Sequence, residues 1–129
     1  MTQFLTVDEV IALHESVCSE PLIDRGKLEG AVGQPQASFD GAFLYPSIYS
    51  QASILMHCIC GAHAFLDGNK RTAWVATLTF LSLNGVEISY VDPETMSEYV
   101  KEVAEGVHTQ QDTAFWLAAL DPSNTRPLE

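Results

Sequence analysis

Apolar side chains recur at helical spacing along most of the chain, and polar caps divide the pattern into segments. Thr6-Val7-Asp8-Glu9 has the S/T-x-x-E form of a capping box, and Val10, Ile11, Leu13 and Val17 follow at helical intervals. This predicts a first helix to about Ser19, stopped by Pro21. A short second helix fits Asp24 to Val32, closed by Gly33 and Pro35. Ala37 to Pro46 is the least regular stretch. Phe39-Asp40-Gly41-Ala42-Phe43 carries an Asp-Gly turn or short-hairpin signal with a weak strand pattern, so a loop or flap is expected.

Ser47 to Ala62 reads as a helix through Ile48, Ala52, Ile54, Leu55 and Ile59. Thr72 to Leu83 is apolar nearly all round, with Trp74, Val75, Leu78, Phe80 and Leu81. A helix apolar on every side is a buried one, so this segment is expected at the centre of the fold, closed by Asn84-Gly85. Val86 to Val91 suits a short strand or an extended link. Asp92-Pro93-Glu94 starts a helix to about Glu105, and Thr109 caps a last one from Gln110 to Leu120, stopped by Pro122. The expected architecture is all-α: one compact bundle of about five to six helices over residues 1–122, with a frayed tail at 123–129.

Composition narrows the function classes. At 129 residues, 47% of them apolar, the chain can bury a real core. No apolar run is long enough to span a bilayer and the N-terminus lacks a signal pattern, so a soluble cytoplasmic protein without a membrane partner is the expectation. A formal charge of −11 argues against nucleic acid as a partner. Of only six basic residues, Lys70 and Arg71 stand together beside Gly68 and Asn69, while Arg25, Lys27, Lys101 and Arg126 are scattered. A merely solvated helix start would carry acidic residues, because the helix dipole is positive there. Cations at that place point to a bound small anion.

Cys18, Cys58 and Cys60 make an odd count, which suits reduced thiols. His57, Cys58, Cys60 and His63 were they metal ligands would have to wrap one ion from one helix, and at about 100° per residue they point in different directions. Buried thiols in an apolar helix account better for Cys58 and Cys60.

The chemistry concentrates in His63-Ala64-Phe65-Leu66-Asp67-Gly68-Asn69-Lys70-Arg71-Thr72, between two apolar helices. The backbone N–H groups of a helix start have no intrahelical partner and attract phosphate. Gly68 lets the backbone approach an anion closely, Asn69 is a good N-cap, and Lys70 and Arg71 add charged contacts to phosphoryl oxygens. Asp67 suits Mg2+ beside a polyphosphate, and His63 is the nearby side chain able to accept a proton near neutral pH. Phe65 and Leu66 are expected to anchor the loop in the core. Alone, the histidine or the Asp-Gly-Asn turn would suit a structural role. Their joint occurrence with the Lys-Arg pair points to transfer of a phosphate-containing group from a nucleotide, without a Walker or kinase glycine loop.

His63 to Arg71 resembles the HxFx(D/E)GNxxR-type loop of the Fic superfamily, and Lys70-Arg71-Thr72-Ala73 looks like its death-on-curing (Doc) branch, the toxins of bacterial toxin–antitoxin pairs. The likeness extends to Leu5–His14, the Asp24-Arg25-Gly26-Lys27-Leu28-Glu29 segment, Leu44-Tyr45-Pro46, Phe80–Gly85 and Val103-Ala104-Glu105-Gly106. It implies an all-α Fic-type fold with the loop at the N-terminus of the central helix. It also implies His63 as general base, Asp67 as the Mg2+ ligand, and Gly68, Asn69, Lys70 and Arg71 as phosphate anchors, with His63, Asp67, Lys70 and Arg71 forming the catalytic set. Most Fic proteins transfer AMP to a target hydroxyl. Doc relatives are associated with transfer of the γ-phosphate of ATP to a threonine of elongation factor Tu, blocking translation, and with an antitoxin resembling the prevents-host-death protein.

Two positions depart from the AMP-transferring pattern. Lys70 stands where a glycine is usual, and Trp74 stands where a second arginine is usual. Lys70 fills space left for a phosphate chain and Trp74 removes a cation, so the nucleotide is expected to bind in another orientation. In-line geometry then favours phosphate transfer over AMP transfer, the runner-up. The segment from Ala37 to Tyr45 is expected to hold an extended target by β-augmentation. The non-enzymatic alternative is a binding module on the same fold; a phosphohydrolase or phosphocholine transferase is a third.

Overall fold

Side-chain caps set most of the helix starts in the computed structural model, which describes residues 1–124. Thr6, Ser47 and Thr109 each form a reciprocal capping box, opening α1 (Val7–Val17), α3 (Ile48–Ala62) and α6 (Gln110–Leu120). Asp24 and Asp92 accept the third amide of α2 (Arg25–Gly33) and α5 (Pro93–Ala104). The remaining helix, α4 (Asn69–Leu83), has no side-chain cap. A single 3-10 turn at Gln34–Gln36 follows α2. Buried residues of all six helices, among them Val10, Leu28, Ile59, Phe80, Val103 and Leu117, form one core cluster. The all-α bundle is therefore the fold. No helix among the described residues is long and apolar enough to cross a membrane.

The hub is α3, not α4 as the apolar count suggested. α3 packs against α2, α4, α5, α6 and the 3-10 turn, whereas α4 packs against α1, α3 and α5. Every residue from Gln51 to Met56 is buried, while Val75, Leu78 and Thr79 of α4 are only partly so and Leu83 is 44% exposed. The polar residues that disguise α3 find partners across helices. Ser53 donates to the Gln110 carbonyl at 2.6 Å, and His57 Nε2 lies 2.8 Å from Thr113 Oγ1. A satisfied polar group costs little to bury, so sequence polarity understated how central this helix is.

The irregular stretch is a minimal hairpin. β1 (Ser38–Phe39) pairs antiparallel with β2 (Ala42–Phe43) around Asp40 and Gly41, both with positive φ (54° and 83°), as a two-residue hairpin turn requires. Its four paired residues are exposed, and the Phe43 ring meets Phe4 edge-on at 5.6 Å. Val86–Val91 takes the extended-link alternative, tied to α6 by Ser89 N–H donating to the Leu120 carbonyl. Ser123 and Asn124 hydrogen bond back to Asp121 and Ala118; the rest of the tail expected to fray lies outside the described residues.

Candidate active site

The loop between α3 and α4 begins at His63, the C-cap of α3, whose φ of 48° and ψ of 43° turn the chain left-handedly out of the helix. The His63 side chain is exposed. Ala64 and Phe65 then plunge into the core at 1% and 2% exposure, while Leu66 returns to the surface at 60%. Only one of the two expected anchors is therefore buried. The preceding segment 21–24 cradles this dip: Leu22 bridges Phe65, the Ile23 and Asp24 amides donate to the Ala64 carbonyl, and the Leu66 amide donates to Pro21.

Asn69 does not cap α4. Gly68 occupies the N-cap position with φ of 81°, and Asn69 is the first helical residue. The Asn69 side chain reaches back instead, accepting the Phe65 N–H at 3.1 Å and donating to the Phe65 carbonyl at 2.8 Å. Those two bonds close the loop on itself. A glycine is required before it because a Cβ at Gly68 would stand 2.8 Å from Cys18 Cβ and 3.2 Å from His14 Nε2.

Without a side-chain cap, the first amides of α4 open outward at the positive end of its dipole. They border a cleft of about 190 Å³ lined by Asp67, Gly68, Lys70, Arg71, Met96, Ser97 and Val100. The structure thus brings four of the six candidate residues to one cleft against α5. His63 stands at the far end of the loop and is not among the residues lining it. Asn69 holds the loop's shape. Asp67 is exposed, and its Oδ1 accepts the Gly68 N–H at 2.8 Å. Arg71 is already partly committed, since its Nη1 donates to the Val17 carbonyl at the end of α1 at 2.8 Å. Trp74, one turn further, is 8% exposed and packs against Trp116 with ring centroids 5.9 Å apart.

The cysteines of α3 play no visible part in this site. Cys60 is buried, and that burial pushes its thiol up to about 11, the nearby Lys70 opposing the shift; burial also raises Cys58. Both are therefore neutral thiols at physiological pH.

One residue with a direct hold on the loop escaped the sequence reading. His14 of α1 is 2% exposed, its ring is stacked 3.7 Å from that of Phe65 at 8°, and its Nε2 lies 2.8 Å from the Asp67 carbonyl. The available signal was its place four residues after Val10 on the buried stripe of an amphipathic helix.

A family model described as the Fic/DOC family matches residues 4–81. The Toxin Doc of Mycolicibacterium smegmatis is 36% identical over 107 residues, which cover 81% of this chain and 82% of that protein. The protein kinase doc of Escherichia phage P1 is 33% identical over 89 residues, 65% of this chain and 70% of that protein. With a loop of this sequence at the uncapped start of α4, the chain belongs to the Fic/DOC family, in its Doc branch.

Proposed function

We propose that the protein is the toxin of a bacterial toxin–antitoxin pair and transfers the γ-phosphate of ATP to a hydroxyl of a target protein, a threonine of elongation factor Tu being the substrate to test first. The observation that carries this reading is the uncapped start of α4 opening onto a cleft lined by Asp67, Gly68, Lys70 and Arg71. Relatives named as a toxin and as a protein kinase support the same reading.

In this mechanism the α4 amides, Lys70 and Arg71 hold the phosphate chain, which fixes the phosphorus in line with the incoming oxygen. His63, exposed at the end of α3, accepts the proton of the target hydroxyl. The oxygen–phosphorus bond forms as the bond to the β-phosphate oxygen breaks, and ADP leaves. Among the described residues no three ligating side chains cluster, so a Mg2+ ion would be held by Asp67 on the protein side and by phosphate and water oxygens elsewhere. Such an ion would neutralise developing phosphate charge.

Phosphate transfer is preferred over AMP transfer on two observations. Trp74 faces apolar neighbours rather than supplying a second arginine, and Lys70 lines the cleft where a glycine would leave room. An antitoxin resembling the prevents-host-death protein is the expected partner. The deciding experiment supplies Mg2+ and ATP labelled at either the α- or the γ-phosphate to the protein and elongation factor Tu. Label arriving from the γ position alone supports the proposal, and label arriving from the α position overturns it. Absence of transfer from both, with wild type and His63→Ala equally harmless to growing cells, would favour the binding module.

A further inference from the structure

The peptide unit joining Asp67 to Gly68 is held at both ends. Its N–H is the donor that Asp67 Oδ1 accepts at 2.8 Å, so the direction of this amide sets the direction of the carboxylate. Its carbonyl is the group that lies 2.8 Å from His14 Nε2. A carbonyl oxygen can only accept, so Nε2 carries a proton and donates. We infer that His14 is a positioning residue: by fixing the 67–68 peptide plane from inside the core, it aims the Asp67 carboxylate at the phosphate cleft. The inference rests on the reading of Asp67 as the metal-facing carboxylate.

Three features suit His14 to this work rather than to filling space. The ring cannot swing, because Phe65 lies flat against it at 3.7 Å and it is 2% exposed. The absent Cβ of Gly68 leaves the approach open; an added one would stand 3.2 Å from Nε2. The hydrogen bond joins α1 to a loop 53 residues away, so it constrains the loop relative to the core and not merely to itself. An apolar side chain could fill the same volume, but it would leave the Asp67 carbonyl without its donor and the peptide free to rotate.

The test compares His14→Phe, which keeps a flat ring against Phe65 and loses the donor, with His14→Gln, whose side-chain N–H can occupy the place of Nε2. Mn2+ binding in the presence of ATP, followed by the Mn2+ paramagnetic resonance signal, requires no target protein. His14→Phe should weaken Mn2+ binding about 5-fold, the effect of one lost hydrogen bond, while His14→Gln stays within about 2-fold of wild type. Equal binding by wild type and His14→Phe, or equal weakening in both variants, overturns the inference. If His14→Phe does not fold by circular dichroism, His14→Asn, whose donor falls one bond short, takes its place with the same expectation. Should wild type itself bind no Mn2+ with ATP, the proposed function fails, and hydrogen exchange at the Gly68 amide then decides the role of His14. Faster exchange in His14→Phe but not in His14→Gln supports it; equal rates in all three refute it.

Discussion

Replacing Gly68 by alanine should cost more stability than the same change at any open left-handed glycine. Two penalties combine. At φ of 81° an L-residue loses about 1 kcal/mol against a right-handed conformation. The added Cβ would also lie 2.8 Å from Cys18 Cβ, an atom one bond from the backbone that cannot swing aside, so the end of α1 must shift. Overpacking of this kind adds about 1–3 kcal/mol. The sum is about 2–4 kcal/mol, which at about 2 kcal/mol per molar lowers the urea midpoint by about 1–2 M. Gly85 supplies the control: its φ is 82°, and nothing lies within 4 Å of an added Cβ. Gly85→Ala should therefore lose only the conformational part, about 0.5 M. Urea titrations followed by far-ultraviolet circular dichroism, at unchanged slope, measure both. Equal shifts for the two variants would show that α1 does not press on the loop, and the account of Gly68 would fall.

Asn69→Ala removes both bonds to Phe65 and should destabilise the fold by about 2 kcal/mol, read by the same titration; a loss under about 0.5 kcal/mol would contradict the loop-closing role. His63→Ala should reduce phosphate transfer about 10²- to 10⁴-fold in the labelled-ATP assay while its melting temperature stays within about 2 °C of wild type, because the side chain is exposed. The His57 imidazolium is disfavoured chiefly by burial and next by His108, so its folded-state value lies below the ordinary 6.5. The unfolded chain then binds the extra proton as pH falls below about 6.5, and stability drops on acidification through that window. His57→Gln should flatten the dependence of the urea midpoint between pH 7.5 and 5.5; an unchanged slope would rule His57 out as its source.

Helix number and most boundaries were legible because they are local, the start of α4 at Asn69 being the exception. Thr6, Ser47, Asp92 and Thr109 announce their own helices within four residues. The grouping of Asp67, Gly68, Lys70 and Arg71 was equally legible, since a Lys-Arg pair next to Gly68 stands out in so acidic a chain, and these four residues line one cleft. What escaped depends on partners far along the chain. Asn69 has the chemistry of an N-cap, and only the dip of Phe65 into the core shows why it turns back to that residue. α3 hides its centrality behind Ser53 and His57, whose partners sit on α6 more than 50 positions away. His14 looks like one more polar residue of α1 until the Asp67 carbonyl is brought to it.

The ties from α1 to the loop also bear on when the site comes into being. His14 meets residue 67 and Val17 meets residue 71 across 53 and 54 positions, whereas the contact between Asn69 and Phe65 spans four. Chain closure over long separations is entropically slower than local ordering. α3 and α4 can therefore pair and their loop can close on itself while α1 is still undocked. In refolding experiments, helical signal should recover before Mn2+ binding does. The loop would then take its final shape only when α1 docks and His14 and Val17 reach it.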